Sequence, residues 1–117
     1  MVKPQEHTKK IFYIEKVEFL RSMMEFALKS KGADVYTVAT IENNFYLLDD
    51  LAPDMIIFDV ETAQNQMAEL REYSAKALLV AVGSPEARVL VDGMVKNYLF
   101  KPFEARTIAD SILSLLD

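Results

Sequence analysis

The chain has 117 residues, 51% of them apolar, a formal net charge of −5 and no cysteine. That size and apolar content exclude a disordered chain and fit one compact domain, while the missing cysteines exclude a disulfide framework or a thiolate metal site. The acid excess, with no Lys/Arg-rich face, argues against nucleic acid as a direct partner.

Residues 1–8 are polar and read as a flexible tail, leaving 9–117 as the domain. No apolar signal segment opens the chain, and no run approaches the roughly 18 apolar residues of a membrane-crossing helix. A cytoplasmic protein is expected, with no membrane partner. His7 has no second histidine or carboxylate beside it, so no ligand role is expected there.

"KKIFYI" (Lys9–Ile14) reads as a strand. "EFLRSMMEFALKSKG" follows with Phe19, Leu20, Met23, Met24, Ala27 and Leu28 on helical spacing, Met23 and Met24 as core filling, and Gly32 as the stop. "DVYTVAT" (Asp34–Thr40) is strand-like. "IENNFYLLDDLAP" spaces Ile41, Phe45, Leu48 and Leu51 about one helical turn apart before Pro53. Asp49, Asp50 and Asp54 then lie at a helix end, where solvation is expected rather than a cation site. Met55–Phe58 is a continuous apolar run, which suits the middle of a parallel sheet covered on both faces.

The second half alternates with shorter helices. "QNQMAELREYSA" is a modest helix and Ala77–Val82 a buried strand. "SPEARVLVDG" opens on Ser84 and Pro85 and stops at Gly93. Lys96–Phe100 is a short strand, and an amphipathic helix through Ile108, Ile112, Leu115 and Leu116 closes the chain. Five strand–helix alternations point to a doubly wound α/β sheet with helices on both faces. In such sheets chemistry gathers at the carboxyl ends of the strands. Glu15, Lys16, Asp59, Gly83, Ser84 and Lys101 all fall on that rim.

With Asp59 closing "MIIFDV", Lys101–Pro102 in "YLFKPF", and the rhythm of "IFYIEKVEFLRSMMEFALKSKGADVYTVAT", residues 9–117 resemble the receiver domain of two-component response regulators. The resemblance implies a CheY-like, flavodoxin-like five-stranded parallel sheet in the order 2-1-3-4-5. It implies Asp59 as phosphoacceptor, with Lys101 and a fourth-strand hydroxyl on the phosphoryl group. It also implies Mg²⁺ held by two acidic residues after strand one together with the acceptor. Tyr98 takes the place of the fifth-strand switch aromatic. The partner implied is a signalling protein, a histidine kinase or an effector, or a second copy, bound through the fourth helix, fifth strand and last helix.

The chain departs from that pattern. Glu15–Lys16 replaces the acidic pair, the hydroxyl position falls on Val82 or Gly83, and only a slip brings Ser84 there. "ETAQNQM" after the acceptor lacks the usual Met-Pro and Asp-Gly elements, and the third and fourth helices look shortened by about one turn or more each. Glu15, Lys16, Asp59 and Lys101 sum to zero charge. An ammonium at ~4 Å from a carboxylate contributes about 4 kcal/mol before desolvation at an effective dielectric of ~20. Lys16 is therefore expected to bridge to Asp59 or Glu15 in the metal's place, so that Mg²⁺ binds weakly; Glu61 is the one residue able to restore part of a cation site.

The expected function is a divergent receiver-like signalling domain in a phosphorelay, not an enzyme, acting mainly by protein contact. The alternative is a working phosphoacceptor with altered metal use. Plainer roles stand beside these: Asp59 accepting N–H bonds from the next loop, Lys16 solvated at a helix start, Lys101 in a structural ion pair with Asp59, and Tyr98 an exposed aromatic on a surface patch. A dimerisation scaffold would share the fold. A small flavodoxin-like nucleotide or cofactor binder is disfavoured, because "IEKVEF" has no glycine for a phosphate loop.

Overall fold

A computed structural model describes residues 8–117, so His7 and nearly all of the expected tail lie outside the described residues. Five strands form one parallel sheet in the order β2-β1-β3-β4-β5: β1 (Lys10–Ile14), β2 (Asp34–Val38), β3 (Met55–Asp59), β4 (Leu78–Gly83) and β5 (Asn97–Phe100). β3 is central and every one of its residues is buried, as a continuous apolar run in a doubly covered sheet requires. Alternation along the strands feeds two separate cores. Ile11, Tyr13, Met55, Ile57, Val80 and Val82 pack beneath α1 (Glu18–Lys29) and α4 (Ala105–Ser114). Phe12, Ile14, Ile56, Phe58, Leu79 and Ala81 face α2 (Phe45–Leu51), α3 (Met67–Arg71) and a 3-10 segment, Glu86–Val91.

The first half is regular. α1 runs for 12 residues and ends where Gly32 takes φ 94°, a left-handed conformation that a Cβ would strain. Its core face is narrower than the spacing predicts. Met24, Ala27 and Leu28 are buried, but Phe19 is 69% exposed and Met23 37%, so Met23 does not fill the core. The sheet meets only one stripe of the helix, and these side chains sit to one side of it. α2 begins at Phe45, with Ile41 buried in the preceding turn. Asp49 and Asp54 have protein partners: Asp49 accepts the Tyr73 hydroxyl at 2.9 Å and Asp54 the Lys10 N–H at 2.8 Å.

The second half is short-helical, as expected. α3 has five residues, with 3-10 turns at Gln64–Gln66 and Glu72–Ala75 on either side. The place of a fourth helix is taken by the six-residue 3-10 segment Glu86–Val91. There the Ser84 hydroxyl accepts the Ala87 N–H at 3.2 Å, and β-branched Val89 and Val91 resist the α conformation. This arrangement leaves the strand ends β1, β3 and β4 close beneath the loop that follows β5.

Candidate functional site

Strand parity assembles the site. Ile14 is in register with Phe58, so Glu15 and Asp59 leave neighbouring strands on the face that holds Tyr13 and Ile57. Asp59 aligns with Val82 and Val82 with Leu99; Lys101, two residues beyond Leu99, returns to that same face. The Lys101 N–H donates to the Gly83 carbonyl at 2.8 Å and anchors the loop over the rim.

The Lys101 ammonium bridges both carboxylates. Its Nζ bonds Glu15 Oε1 and lies 2.9 Å from Asp59 Oδ1. Glu15 is fully buried and Asp59 is 4% exposed. Two buried carboxylates side by side would be costly, and the single ammonium is what makes the pair tolerable. The remaining lone pairs are also engaged. Glu15 Oε1 accepts the Tyr13 hydroxyl at 3.1 Å and Oε2 the Val17 N–H at 3.2 Å. Asp59 Oδ2 accepts both the N–H and the hydroxyl of Thr62, at 2.9 and 2.7 Å. Among the described residues, no buried side-chain polar atom lacks a partner.

Titration follows from this packing. Burial pushes the Tyr13 hydroxyl far above the usual tyrosine range, and the neighbouring Glu15 charge, its hydrogen bond and Asp59 add to the rise. For Lys101, burial pulls downward most strongly. The hydrogen bonds to Glu15 and Asp59, with their charges, outweigh it and raise the ammonium above its ordinary value. Burial, then the Asp59 charge, also raises Tyr98.

Lys16 is not part of the pocket. It is expected against Asp59 or Glu15, yet its ammonium stands 4.0 Å from Glu61 Oε2, with both side chains more than half exposed. The physical reason is again parity. One residue beyond Glu15, Lys16 projects away from the shared face, and its long stem reaches water. Its backbone N–H donates to the Thr62 hydroxyl at 3.1 Å. The charge sum changes with it: two carboxylates and one ammonium leave the inner pocket at −1 rather than zero.

Other site residues fall into place around this centre. Val82 and Gly83 end β4, and the Ser84 hydroxyl is engaged in its own turn, with no hydrogen bond to Asp59 or Lys101 among the described residues. Tyr98, expected on a surface patch, is half-buried and donates its hydroxyl to the Ser84 carbonyl at 2.6 Å. A Cβ on Gly83 would lie 2.6 Å from that Tyr98 oxygen, so the glycine is what lets the ring lie inward. Asp59 accepting N–H from the next loop, and Lys101 paired with Asp59, are both as expected. Thr62 and Tyr13 were missed. "DVET" does carry a signal for Thr62, since an aspartate followed three residues later by a hydroxyl residue is the pattern of a local side-chain turn. Nothing local marks Tyr13, whose partner is revealed only by strand alternation.

The residues present do not fit Mg²⁺. Each carboxylate oxygen of Glu15 and Asp59 already takes a protein donor, and Lys101 lies between the two groups where a shared cation would stand. Among the described residues, no three His, Cys, Asp or Glu side chains are grouped to hold a metal ion.

The backbone resembles those of solved receiver domains. An orphan response regulator of H. pylori superposes with a TM-score of 0.79 at 19% identity, covering 93% of this chain and 97% of its own. A CheY-like receiver domain protein of Methanospirillum hungatei gives 0.80 at 17% identity, over 95% of each chain. CheY4 of Vibrio cholerae gives 0.78 at 20% identity, over 95% of this chain and all of that one. The chain has the receiver-domain fold. No family model matches the sequence, and no curated protein matches it either. At 20% identity or less, these likenesses concern the fold alone. Among the described residues of this receiver fold, no helix is long and apolar enough to cross a membrane.

Proposed function

We propose that the chain is a receiver-type signalling module that works by protein contact and does not rely on metal-dependent phosphorylation of Asp59. The observation that carries this reading is the Lys101 bridge to both Glu15 and Asp59. A receiver pocket poised for phosphoryl transfer needs free anionic oxygens for a cation and an unencumbered acceptor. In this pocket the oxygens are occupied and the acceptor is hydrogen-bonded three times. Losing one preorganised stabiliser of a transition state commonly costs about 10²–10³ in rate. Cytoplasmic signalling through a protein partner fits the acidic, cysteine-free composition.

The partner surface in this reading is the edge made by Glu86–Val91, β5 and α4. Val89 is 68% exposed, Leu90 50% and Phe100 46%, with the Arg88 guanidinium 5.8 Å from the Phe100 ring centroid. Apolar side chains grouped on one edge and rimmed by charge are the chemistry of a protein-binding surface.

Two measurements test the pocket. Tyrosine fluorescence, which includes Tyr13 beside Glu15, is expected to stay flat through millimolar Mg²⁺; a saturable change refutes the closed pocket. Incubation with a small-molecule phosphodonor is expected to leave most of the protein at its unmodified intact mass. A rapid stoichiometric phosphoryl adduct that vanishes in Asp59→Asn would establish the alternative, a working phosphoacceptor with altered metal use.

A further inference from the structure

Outside the pocket, α1 carries a feature that neither its core packing nor the rim chemistry uses. Phe19, Met23 and Phe26 follow one another at four and three residues, on one stripe of the helix, and are 69%, 37% and 69% exposed. Two phenylalanine rings left this open on one helix are unusual for an unpartnered surface. Beside the stripe, between α1 and α4, lies a groove of about 200 Å³ lined by Phe19, Leu20, Met23, Phe103, Glu104 and Ala105.

The stripe is self-complementary. Met23 sits near its middle, with Phe19 about 6 Å along the axis on one side and Phe26 about 4.5 Å on the other, at ~1.5 Å rise per residue. A two-fold axis through Met23, with the helices antiparallel, brings Phe26 of each copy level with the Phe19–Leu20 end of the other, where the groove opens.

The charges have the same symmetry. The Phe19 end is flanked by acids, Glu18 in the first turn of α1 and Glu104 ahead of α4. The Phe26 end carries Lys29 in the last turn and Lys31 just beyond, each beside an acid of the same chain, Glu25 and Asp110. Lys29 already bonds Glu25 at 2.7 Å, and Lys31 lies 3.3 Å from Asp110. Each ammonium has three donors, so both can take a second carboxylate. A parallel pairing would set acid on acid; the antiparallel one sets acid on base and also opposes the helix dipoles favourably. Antiparallel docking about Met23 therefore sets Glu18 and Glu104 of one copy, acids unpaired among the described residues, toward the Lys29 and Lys31 ammoniums of the other, a reciprocal arrangement of the kind an isologous interface requires.

We propose that a second copy of this chain is the occupant of this face, docked antiparallel along α1 with Phe26 of each copy against the other's α1–α4 groove. The contact is independent of Asp59 chemistry and does not use Val89, Leu90 or Phe100, so a dimer built this way leaves that apolar part of the partner edge open on each copy. One helix and its neighbouring groove make a small interface, so the dimer is weak, roughly micromolar.

Sedimentation equilibrium of the whole chain from about 1 to 300 µM tests this, a range that spans such a dissociation constant. A reversible monomer–dimer transition is expected. Phe26→Glu and Phe19→Glu should each raise the dissociation constant by more than about tenfold, with circular dichroism unchanged because both side chains are exposed. Lys29→Glu should weaken the dimer, and adding Glu18→Lys should restore it. Leu90→Glu, on the other edge, should change nothing. A wild-type chain that stays monomeric throughout overturns the proposal, leaving the stripe to a different protein. A dimer that survives Phe26→Glu but is lost in Leu90→Glu overturns it too, by moving the interface to the other edge.

Discussion

Two ion pairs stand a few residues apart on the same rim and behave as different objects. Inside, Lys101 with Glu15 and Asp59 is buried, and every carboxylate oxygen has a donor. Outside, Lys16 and Glu61 meet at 4.0 Å with 60% and 64% of their side chains in water. In sequence the two lysines look interchangeable as counter-ions to Asp59. Burial separates them: an enclosed charge cannot be exposed or abandoned without a large cost, whereas an exposed pair is screened and contributes little.

The sharpest way to break that comparison is to remove each ammonium in turn. Lys101→Met leaves two buried carboxylates facing each other, and a loss of about 3–5 kcal/mol in urea-denaturation stability is expected. Part of that loss should return when Glu15→Gln is added, since one negative charge then goes. A loss below about 1 kcal/mol would mean that water reaches the inner pair as easily as the outer one.

Alkaline titration sharpens the same contrast. Lys101 and Tyr13 both have raised values in the folded chain. A raised group contributes stability that is fully present below its unfolded value, about 10 for both kinds of group, and is lost as pH rises through the folded value. Urea midpoints should therefore hold steady from neutral pH to about 9 and fall above 10. In a spectrophotometric titration Tyr13 should ionise last and together with unfolding, and Tyr13→Phe should remove that final step. A Tyr13 that ionises early in an intact fold would contradict its enclosure beside Glu15.

Next in size is Gly83→Ala. The new methyl would stand 2.6 Å from the Tyr98 oxygen, so either the ring swings out or β4 shifts. A loss of about 1–3 kcal/mol is expected, with the Tyr98 resonances moving to those of a solvent-exposed ring. Unmoved resonances would show that the inward ring has room to spare. Smallest of all is Lys16→Ala, where a change within about 0.5 kcal/mol is expected. A cost matching that of Lys101→Met would return Lys16 to the pocket.

The apolar runs of β1 and β3, the Gly32 stop and the shortness of the second half's helices could all be read from residue order, because period and punctuation are local properties; that Glu86–Val91 forms a 3-10 segment could not. So could the gathering of Glu15, Asp59 and Lys101 on one rim, since a parallel sheet delivers strand ends to a common edge. The choice between Lys16 and Lys101 could not. It depends on which side chains share a face once three strands are in register, and a shift of one residue reverses the answer. The same holds for Tyr13 beneath Glu15, for Tyr98 lying over Gly83, and for Phe19 and Met23 turned away from the core. Periodicity states how a helix repeats, but the width of the stripe it buries is set by the sheet and by α4 beside it. Local order determined the elements of this protein and the residues that meet; tertiary register decided which of them are enclosed, and enclosure decides what a charge can do.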